Sequence, residues 1–334
     1  MKITIIAEIG VNHNGRISQA KKIILAAKKI GVKIVKFQFY RAEKLVLPFS
    51  PMAKYQIKNY SKKKKNSDQL MMLKKFEFSP EQHIELSKFC TKNKIEYCCS
   101  LFHEDDVSYV KKLKLKRIKI PSGEINNFFL LKKIAKLNKK IIISTGMTND
   151  HDINRAIKFL VKNGQDKNKI TLLHCSSAYP TPMKNLNLNS IPYLKKKYKI
   201  SVGYSDHSKE VITPILAIAK GAEVIEKHIT LSNKLVGPDH KASLNIKDFR
   251  EMLELINKGK EAFGFNEKKI NKLEKQNIYF VRKCLVAKKN INVGDKFTYN
   301  NLTGIRPMSG NSLNKIFDFL GKRAKKNYKK YDII

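Results

Sequence analysis

Residues 140–174 read Lys140-Ile-Ile-Ile-Ser-Thr-Gly-Met-Thr-Asn-Asp150, then a charged, amphipathic stretch to Asn163, then Lys169-Ile-Thr-Leu-Leu-His174. Each flanking run is short, apolar and bounded by turn residues, and the stretch between them is long enough for several helical turns. The segment therefore predicts strand, helix, strand. The same alternation continues in both directions, with strand-like runs at 3–8, 32–38, 95–100, 117–121, 140–144, 169–174, 199–204 and 222–228. Helix-length amphipathic stretches lie at 18–30, 81–93, 150–163, 210–220 and 247–262. Eight such units predict an α/β protein whose parallel strands close into a (β/α)8 TIM barrel.

Two stretches depart from this alternation. Residues 39–79 form a long connection after the second strand and include the run Lys62-Lys-Lys-Lys65, which predicts a lid with a mobile basic tip. After residue 263 the chain turns polar, and from Lys283 it is built of short strands and turns. The expected organisation is a catalytic barrel over 1–263, a linker over 264–282 and a small β-rich domain over 283–334.

Composition bounds the function. The chain has 334 residues, 42% of them apolar, enough for a sizeable core and an appended domain. No apolar run approaches the roughly 18 residues of a membrane span, and the N-terminus carries no signal-peptide pattern, so a cytoplasmic protein is expected. Its five cysteines are odd in number and lack the C-x-x-C spacing, which argues against a disulfide framework or a zinc knuckle. The formal charge of +40 invites a nucleic-acid reading, but only eight of the 68 basic residues are Arg, and the Lys is spread over nearly every helix. That pattern reads as solvated faces, with no specific nucleic acid as partner.

Polar residues recur at the C-terminal ends of the predicted strands, the face on which barrel enzymes build their sites: Glu8, Lys36, Gln38, Ser100, Lys119, Ser122, Glu124, Ser144, His174, Ser205, His207 and His228. Any one of them could be a strand-end hydrogen bonder; their recurrence on every strand points to a site. Lys36 and Lys119 interrupt apolar strands, where an unpaired ammonium is costly, and with the serines they suit a small phosphorylated anion. Gly123 and Gly146 could offer turn amides to that anion or simply permit tight turns. His207 and His228, on adjacent strands, could share a divalent ion, although a single strand-end histidine is more often structural.

The motifs Ala7-Glu-Ile-Gly-Val-Asn-His-Asn-Gly15, Val35-Lys-Phe-Gln38, Lys119-Ile-Pro-Ser-Gly-Glu124, Ile143-Ser-Thr-Gly-Met147, Tyr179-Pro-Thr-Pro182, Gly203-Tyr-Ser-Asp-His207, Ile225-Glu-Lys-His-Ile-Thr230 and Gly237-Pro-Asp239 follow one another in order. Together they resemble the bacterial N-acetylneuraminate (sialic acid) synthase family, legionaminate synthases included. Residues 283–307, ending Thr303-Gly-Ile-Arg-Pro307, resemble that family's C-terminal antifreeze-like (SAF) domain. The resemblance implies phosphoenolpyruvate contacts at Lys36, Ser100, Lys119, Ser122, Ser144, Ser177 and Ser205, and sugar contacts at Gln38, Glu124, Tyr179, Asp239, Phe280 and Arg306. It also implies catalytic carboxylates at Glu8 and Glu124, and a divalent metal on His207 and His228, usually Mn2+, with Mg2+ or Co2+ as alternatives. Arg306 matches an arginine lent to the partner's site in a domain-swapped homodimer.

Three departures from the family pattern stand out: Cys99-Ser-Leu-Phe102 lacks a usual proline, Ser177 replaces a common Asn, and Arg306-Pro-Met-Ser309 replaces Arg-Pro-Gly. The expected reaction joins phosphoenolpyruvate, N-acetylmannosamine or a close N-acyl sugar, and water to give N-acetylneuraminate and phosphate. The alternatives are a legionaminate synthase using 2,4-diacetamido-2,4,6-trideoxymannose, a Schiff-base aldolase on Lys36 or Lys119, and a non-enzymatic polyanion or glycan binder.

Overall fold

The structure, a computed structural model, describes residues 3–53, 56–57, 68–264 and 267–334, and it divides into two compact units, 1–263 and 264–334. In the first unit the strands are β1 (Thr4–Gly10), β2 (Ile34–Phe39), β3 (Glu96–Leu101), β4 (Arg117–Ile120), β5 (Lys140–Ser144), β6 (Ile170–Cys175), β7 (Ser201–Asp206) and β8 (Val224–Thr230). Each pairs parallel with the next, and β8 closes onto β1 in a register running from Thr4 opposite Val224 to Glu8 opposite His228. The closed eight-stranded barrel expected from the sequence is therefore present.

The β5–helix–β6 unit shows how local sequence produces the barrel. The helix Asp150–Lys162 opens on a capping box in which Asn149 accepts from the Asp152 amide and Asp152 accepts from the Asn149 amide. It buries Ile153, Ala156, Ile157 and Leu160, positions spaced to form one helical stripe, against the outer face of the strands. It ends at Asn163, followed by Gly164 at φ 101°.

The alternation of strand side chains does the rest. One face of each strand joins the large core beneath the helices. The other face points into the barrel, where Ile6, Ile34, Cys98, Ile142, Leu173 and Val224 form a separate apolar cluster that plugs the interior. Two residues further along the same strands come Glu8, Lys36, Ser100, Ser144, Cys175 and Glu226. A polar layer thus rests directly on an apolar floor.

The long connection after β2 is more structured than a plain loop. It carries the helices Ala42–Leu45 and Gln69–Phe76, the second capped by Asp68, whose side chain accepts from the Leu70 and Met71 amides. Met52, Met72 and Phe76 pack with Val11 in a small apolar cluster that holds this connection to the barrel on both sides of the undescribed residues. The expected basic tip, Lys62 to Lys65, lies outside the described residues.

In the second unit, part of the expected linker is the helix Lys272–Val281, and the Met308 amide donates to Tyr279 O at 2.8 Å, tying the region after that helix into the unit. β9 (Cys284–Ala287) pairs antiparallel with β10 (Leu302–Ile305) over a core of Leu285, Ala287, Ile291, Phe297, Leu302, Ala324 and Ile334. Among the described residues no helix is long and apolar enough to cross a membrane. All five cysteines are free and buried.

Candidate active site

The barrel mouth holds a cavity of about 520 Å3 whose wall includes Glu8, Lys36, Gln38, Ser100, Lys119, Ser122, Glu124, Ser144, Ser177, Tyr179, Ser205, His207, Glu226 and His228. Strand alternation explains this gathering, because residues two apart share a face and the parallel register sets neighbouring strand ends level. In its lower part Lys36 Nζ lies 2.8 Å from Glu8 Oε2 and 3.6 Å from Glu226 Oε1, and donates to Ser100 Oγ at 3.1 Å. Lys119 Nζ donates to Ser144 Oγ at 2.6 Å and stands 3.9 Å from Glu226 Oε1. Ser205 Oγ donates to the same carboxylate oxygen at 3.0 Å.

Burial and these charges divide the two glutamates. Burial, reinforced by the Glu226 charge and only partly offset by Lys36, pushes the Glu8 carboxyl up to about 7. Burial also acts upward on Glu226, but Lys119 and Lys36 outweigh it and hold that carboxyl below the usual range. Burial lowers Lys119, whereas Glu226 and Glu8 raise Lys36 against the effect of burial. Two ammonium groups facing one firmly ionised carboxylate leave the layer ready to accept an anion.

A second group of donors lies where β4, β5 and β6 end. The Gly146 amide donates to Ser122 Oγ at 3.0 Å. A Cβ on Gly146 would fall 2.3 Å from Ser177 Oγ, 2.9 Å from Ser122 Oγ and 3.0 Å from Cys175 Sγ. Gly146 therefore serves close approach. The left-handed conformation of a tight turn falls instead on Met147, at φ 59°. No contact of this kind forms at Gly123, which has open space around its Cα.

The two histidines meet as their strand ends require, with ring centroids 5.7 Å apart and the Tyr179 ring tilted 34° to that of His207 at 4.1 Å. His207 Nδ1 is hydrogen-bonded to Ser176 O at 2.7 Å, which makes that nitrogen the donor and leaves Nε2, 3.4 Å from Ser205 Oγ, as the acceptor with a lone pair. His228 Nδ1 is buried without a hydrogen-bond partner, 3.8 Å from Asp239 Oδ2. Burial holds His207 down at about 4 and His228 well below its ordinary value, so both are neutral near pH 7, the state in which imidazole binds a metal. An orphaned ring nitrogen on one histidine and an unprotonated one on the other fit a divalent cation. Among the described residues no set of three or more His, Cys, Asp or Glu side chains surrounds such a position, so other ligands would come from substrate or water.

Asp239 joins the group through Gly10. A Cβ on Gly10 (φ 53°) would lie 3.2 Å from Glu8 Oε1, 3.4 Å from Asp239 Oδ2 and 3.4 Å from His228 Cε1. Burial lifts Asp239 to about 6. Gln38 Nε2 donates to Glu8 Oε1 at 3.4 Å, and Glu124 accepts from Asn127 at 2.8 Å.

Two candidates of the sequence reading lie elsewhere in the chain: Phe280 and Arg306 belong to the second unit, where both are exposed. His174 does not face the mouth. Leu173 points into the barrel, so its neighbour points out, where His174 Nε2 bonds Leu186 O at 2.7 Å and the ring stacks on Tyr204. Glu226 was not among the expected site residues. Its signal was present in Ile225-Glu-Lys-His228, since a charge two residues before an inward histidine must share its face.

Comparison with known proteins agrees with this geometry. The sequence model of the NeuB family matches residues 23–268. The chain belongs to the NeuB family. An N,N'-diacetyllegionaminic acid synthase of Campylobacter jejuni is 44% identical over 333 residues, covering 100% of this chain and 99% of that protein. One from Legionella pneumophila is 35% identical over 98% of this chain and 92% of its own length. Among solved structures, the N-acetylneuraminic acid (sialic acid) synthetase of Leptospira borgpetersenii in complex with citrate superposes with a TM-score of 0.71 at 28% identity, covering 83% of this chain and 90% of that one. As a NeuB-family protein the chain is an enzyme, a phosphoenolpyruvate-dependent synthase of a sugar acid.

Proposed function

We propose that the chain condenses phosphoenolpyruvate with the open-chain aldehyde of 2,4-diacetamido-2,4,6-trideoxymannose, giving N,N'-diacetyllegionaminate and phosphate. The observation that carries this choice is the character of the cavity's upper wall, where the lid contributes Leu45, Val46, Ala53 and Leu73 beside Phe102, with Gln69 as its polar member. An apolar wall suits the C6 methyl and second acetyl group of a deoxy sugar better than the free hydroxyls of N-acetylmannosamine, the acceptor first expected from the sequence. The named relatives support the same choice.

Lys36, Lys119, Ser100, Ser144 and Ser205 would hold the carboxylate and phosphate of phosphoenolpyruvate above the apolar floor, with Ser122, Ser177 and the Gly146 region closing around the anion. His207 and His228 would hold a divalent ion, Mn2+ in this reading, which would supply Lewis acidity when bound. C3 of phosphoenolpyruvate attacks the aldehyde carbon, C2 becomes electron-poor, and water adds there. Glu8, near half-protonated at neutral pH, or Glu124 takes the proton from that water at a carboxylate oxygen and returns a proton to the alkoxide left on the former aldehyde; the C2 hydroxyl then collapses to the ketone, its proton leaving with the phosphate as the C2–O bond breaks. Gln38, Tyr179 and Asp239 would orient the sugar. A Schiff-base reading is less well supported for Lys36, because Glu226 and Glu8 hold its ammonium in the charged, non-nucleophilic form.

The proposal extends to a domain-swapped homodimer in which Phe280 and Arg306 serve the partner's sugar site. Arg306 is exposed and makes no ion pair among the described residues, as suits a group held for another molecule. Buried free thiols accord with a cytoplasmic setting. The test is phosphate release from phosphoenolpyruvate across a panel of N-acyl sugars with Mn2+ present. The diacetamido-trideoxy sugar should exceed N-acetylmannosamine in kcat/KM by about 10-fold or more. The reverse order would return the acceptor to N-acetylmannosamine, and no phosphate release with any sugar would sink the reading.

A further inference from the structure

His228 sits within β8, where the ladder pairs it with Glu8 of β1, but His207 lies one residue beyond the end of β7. Its position depends on what ties down the segment that carries it. On one side the Thr181 amide donates to His207 O at 2.9 Å and the ring bonds Ser176 O. On the other side stands an ion pair that takes no part in the mouth: Lys227 Nζ donates to Asp206 Oδ2 at 2.6 Å, and both side chains are 0% exposed. Asp206 and Lys227 are register partners, each immediately preceding one of the two histidines. Because they alternate with inward-facing neighbours, they point away from the cavity.

The remaining bonds of this pair are directed at one target. Lys227 Nζ also donates to Ser208 O at 2.6 Å and to Glu210 O at 3.2 Å. Asp206 Oδ1 accepts from the Ser208 amide at 2.8 Å and from Tyr204 OH at 3.2 Å, and Oδ2 accepts from Thr213 Oγ1. β8 is thereby fastened, through one lysine, to the residues that follow His207. A fully buried ion pair is a poor device for stability alone, since apolar residues of similar volume commonly do as well or better. Fixing one discrete geometry is the role such pairs are best suited to.

We propose that Asp206 and Lys227 are positioning residues that set His207 against His228 at the spacing a shared cation needs. The inference rests on the reading of the two histidines as a metal pair. Loss of the clamp would let the His207 segment relax while the barrel, whose ladder and helices are untouched, remains folded.

The experiment measures Mn2+ binding to metal-free full-length protein by calorimetry, together with the electron paramagnetic resonance signal of free Mn2+, so that no turnover is needed. Because removing one partner strands a buried charge and can unfold the chain, the deciding variant is the double substitution Asp206→Asn with Lys227→Met, which leaves none. Thr213→Val, which keeps the pair but removes one support of Asp206, serves as a milder probe. With native circular dichroism retained, the double variant should bind Mn2+ about 10- to 100-fold more weakly than wild type, the range typical for lost outer supports of a metal ligand, and Thr213→Val should fall between the two. A folded double variant with wild-type Mn2+ affinity would overturn the positioning role while leaving the metal reading intact. Failure of the wild-type protein to bind Mn2+ would overturn the metal reading, and this inference with it.

Discussion

Lys36 Nζ lies 2.8 Å from Glu8 Oε2 at the base of the mouth, and neither side chain is more than 4% exposed. An ammonium so placed is held ready by carboxylates and is available to an entering anion. Lys36→Met and Lys119→Met should each remove a charge-assisted contact of about 1.5–3 kcal/mol, raising KM for phosphoenolpyruvate by about 10- to 150-fold. Steady-state kinetics on folded variants check this, and unchanged KM in both would place the anion elsewhere.

Glu8 is raised to about 7 by burial, so its folded form binds a proton more tightly than its unfolded form, whose reference is 4.5. Between those values the native state carries more protons than the unfolded one, and stability contributed by this group falls as pH rises. Glu8→Gln, neutral throughout, should abolish that decline, stabilise the protein by about 1–3 kcal/mol at pH 8, and suppress turnover. Urea denaturation at pH 5 and pH 8 reads the slope; an unchanged difference between the two would contradict the assignment.

Turnover should disappear on treatment with EDTA and return with Mn2+. His207→Ala and His228→Ala should remain inactive at saturating Mn2+, losing about 10²-fold or more in rate if Lewis-acid stabilisation is withdrawn. Full activity in the metal-free enzyme would refute the metal proposal.

Gly146→Ala would place a methyl 2.3 Å from Ser177 Oγ. Since the three strand ends cannot part without cost, the substitution should weaken phosphoenolpyruvate binding more than it lowers the melting temperature. The equivalent change at Gly123, where nothing lies within 4 Å, should be nearly silent. Comparing KM and Tm for the two variants separates a cradle from a mere turn.

If Arg306 acts in trans, inactive Arg306→Ala and inactive His207→Ala subunits should complement after exchange. One of the two sites in each mixed dimer would then hold both an intact metal pair and a donated arginine, giving about half of wild-type activity per heterodimer. Activity fixed at the level of the separate variants, with exchange verified by tags, would make Arg306 a residue of its own domain only.

Most of the barrel was legible because its signal is local. Runs such as Lys140 to Ser144 are short, apolar and regularly spaced, and strand periodicity carries Lys36, Ser100, Ser144 and Ser205 to one face without knowledge of any contact. The same rule, applied to β6 from the wrong residue, put His174 in the mouth; the inward positions there are Leu173 and Cys175. Glu226 owes its place to partners distant in the chain, Lys36, Lys119 and Ser205, while its neighbour Lys227 belongs to Asp206 on the adjacent strand. The sequence leaves Gly146 open between an anion cradle and a tight turn because crowding by Ser122 and Ser177, 24 and 31 positions away in the chain, leaves no trace in its neighbours. The small helix Lys272–Val281 was hidden by its polarity, having no buried residue to give it a stripe.

The apolar floor of Ile6, Ile34, Cys98, Ile142, Leu173 and Val224 closes the mouth from below. On the proposed reading the phosphorylated reactant lies deepest and the sugar rests above it, so traffic must queue: phosphoenolpyruvate enters before the aldehyde, and inorganic phosphate waits behind the larger sugar acid. Product-inhibition patterns would register this as compulsory order, with phosphate competing against phosphoenolpyruvate for the empty enzyme. A cell rich in phosphate would then slow the enzyme at its first step, whatever the supply of sugar.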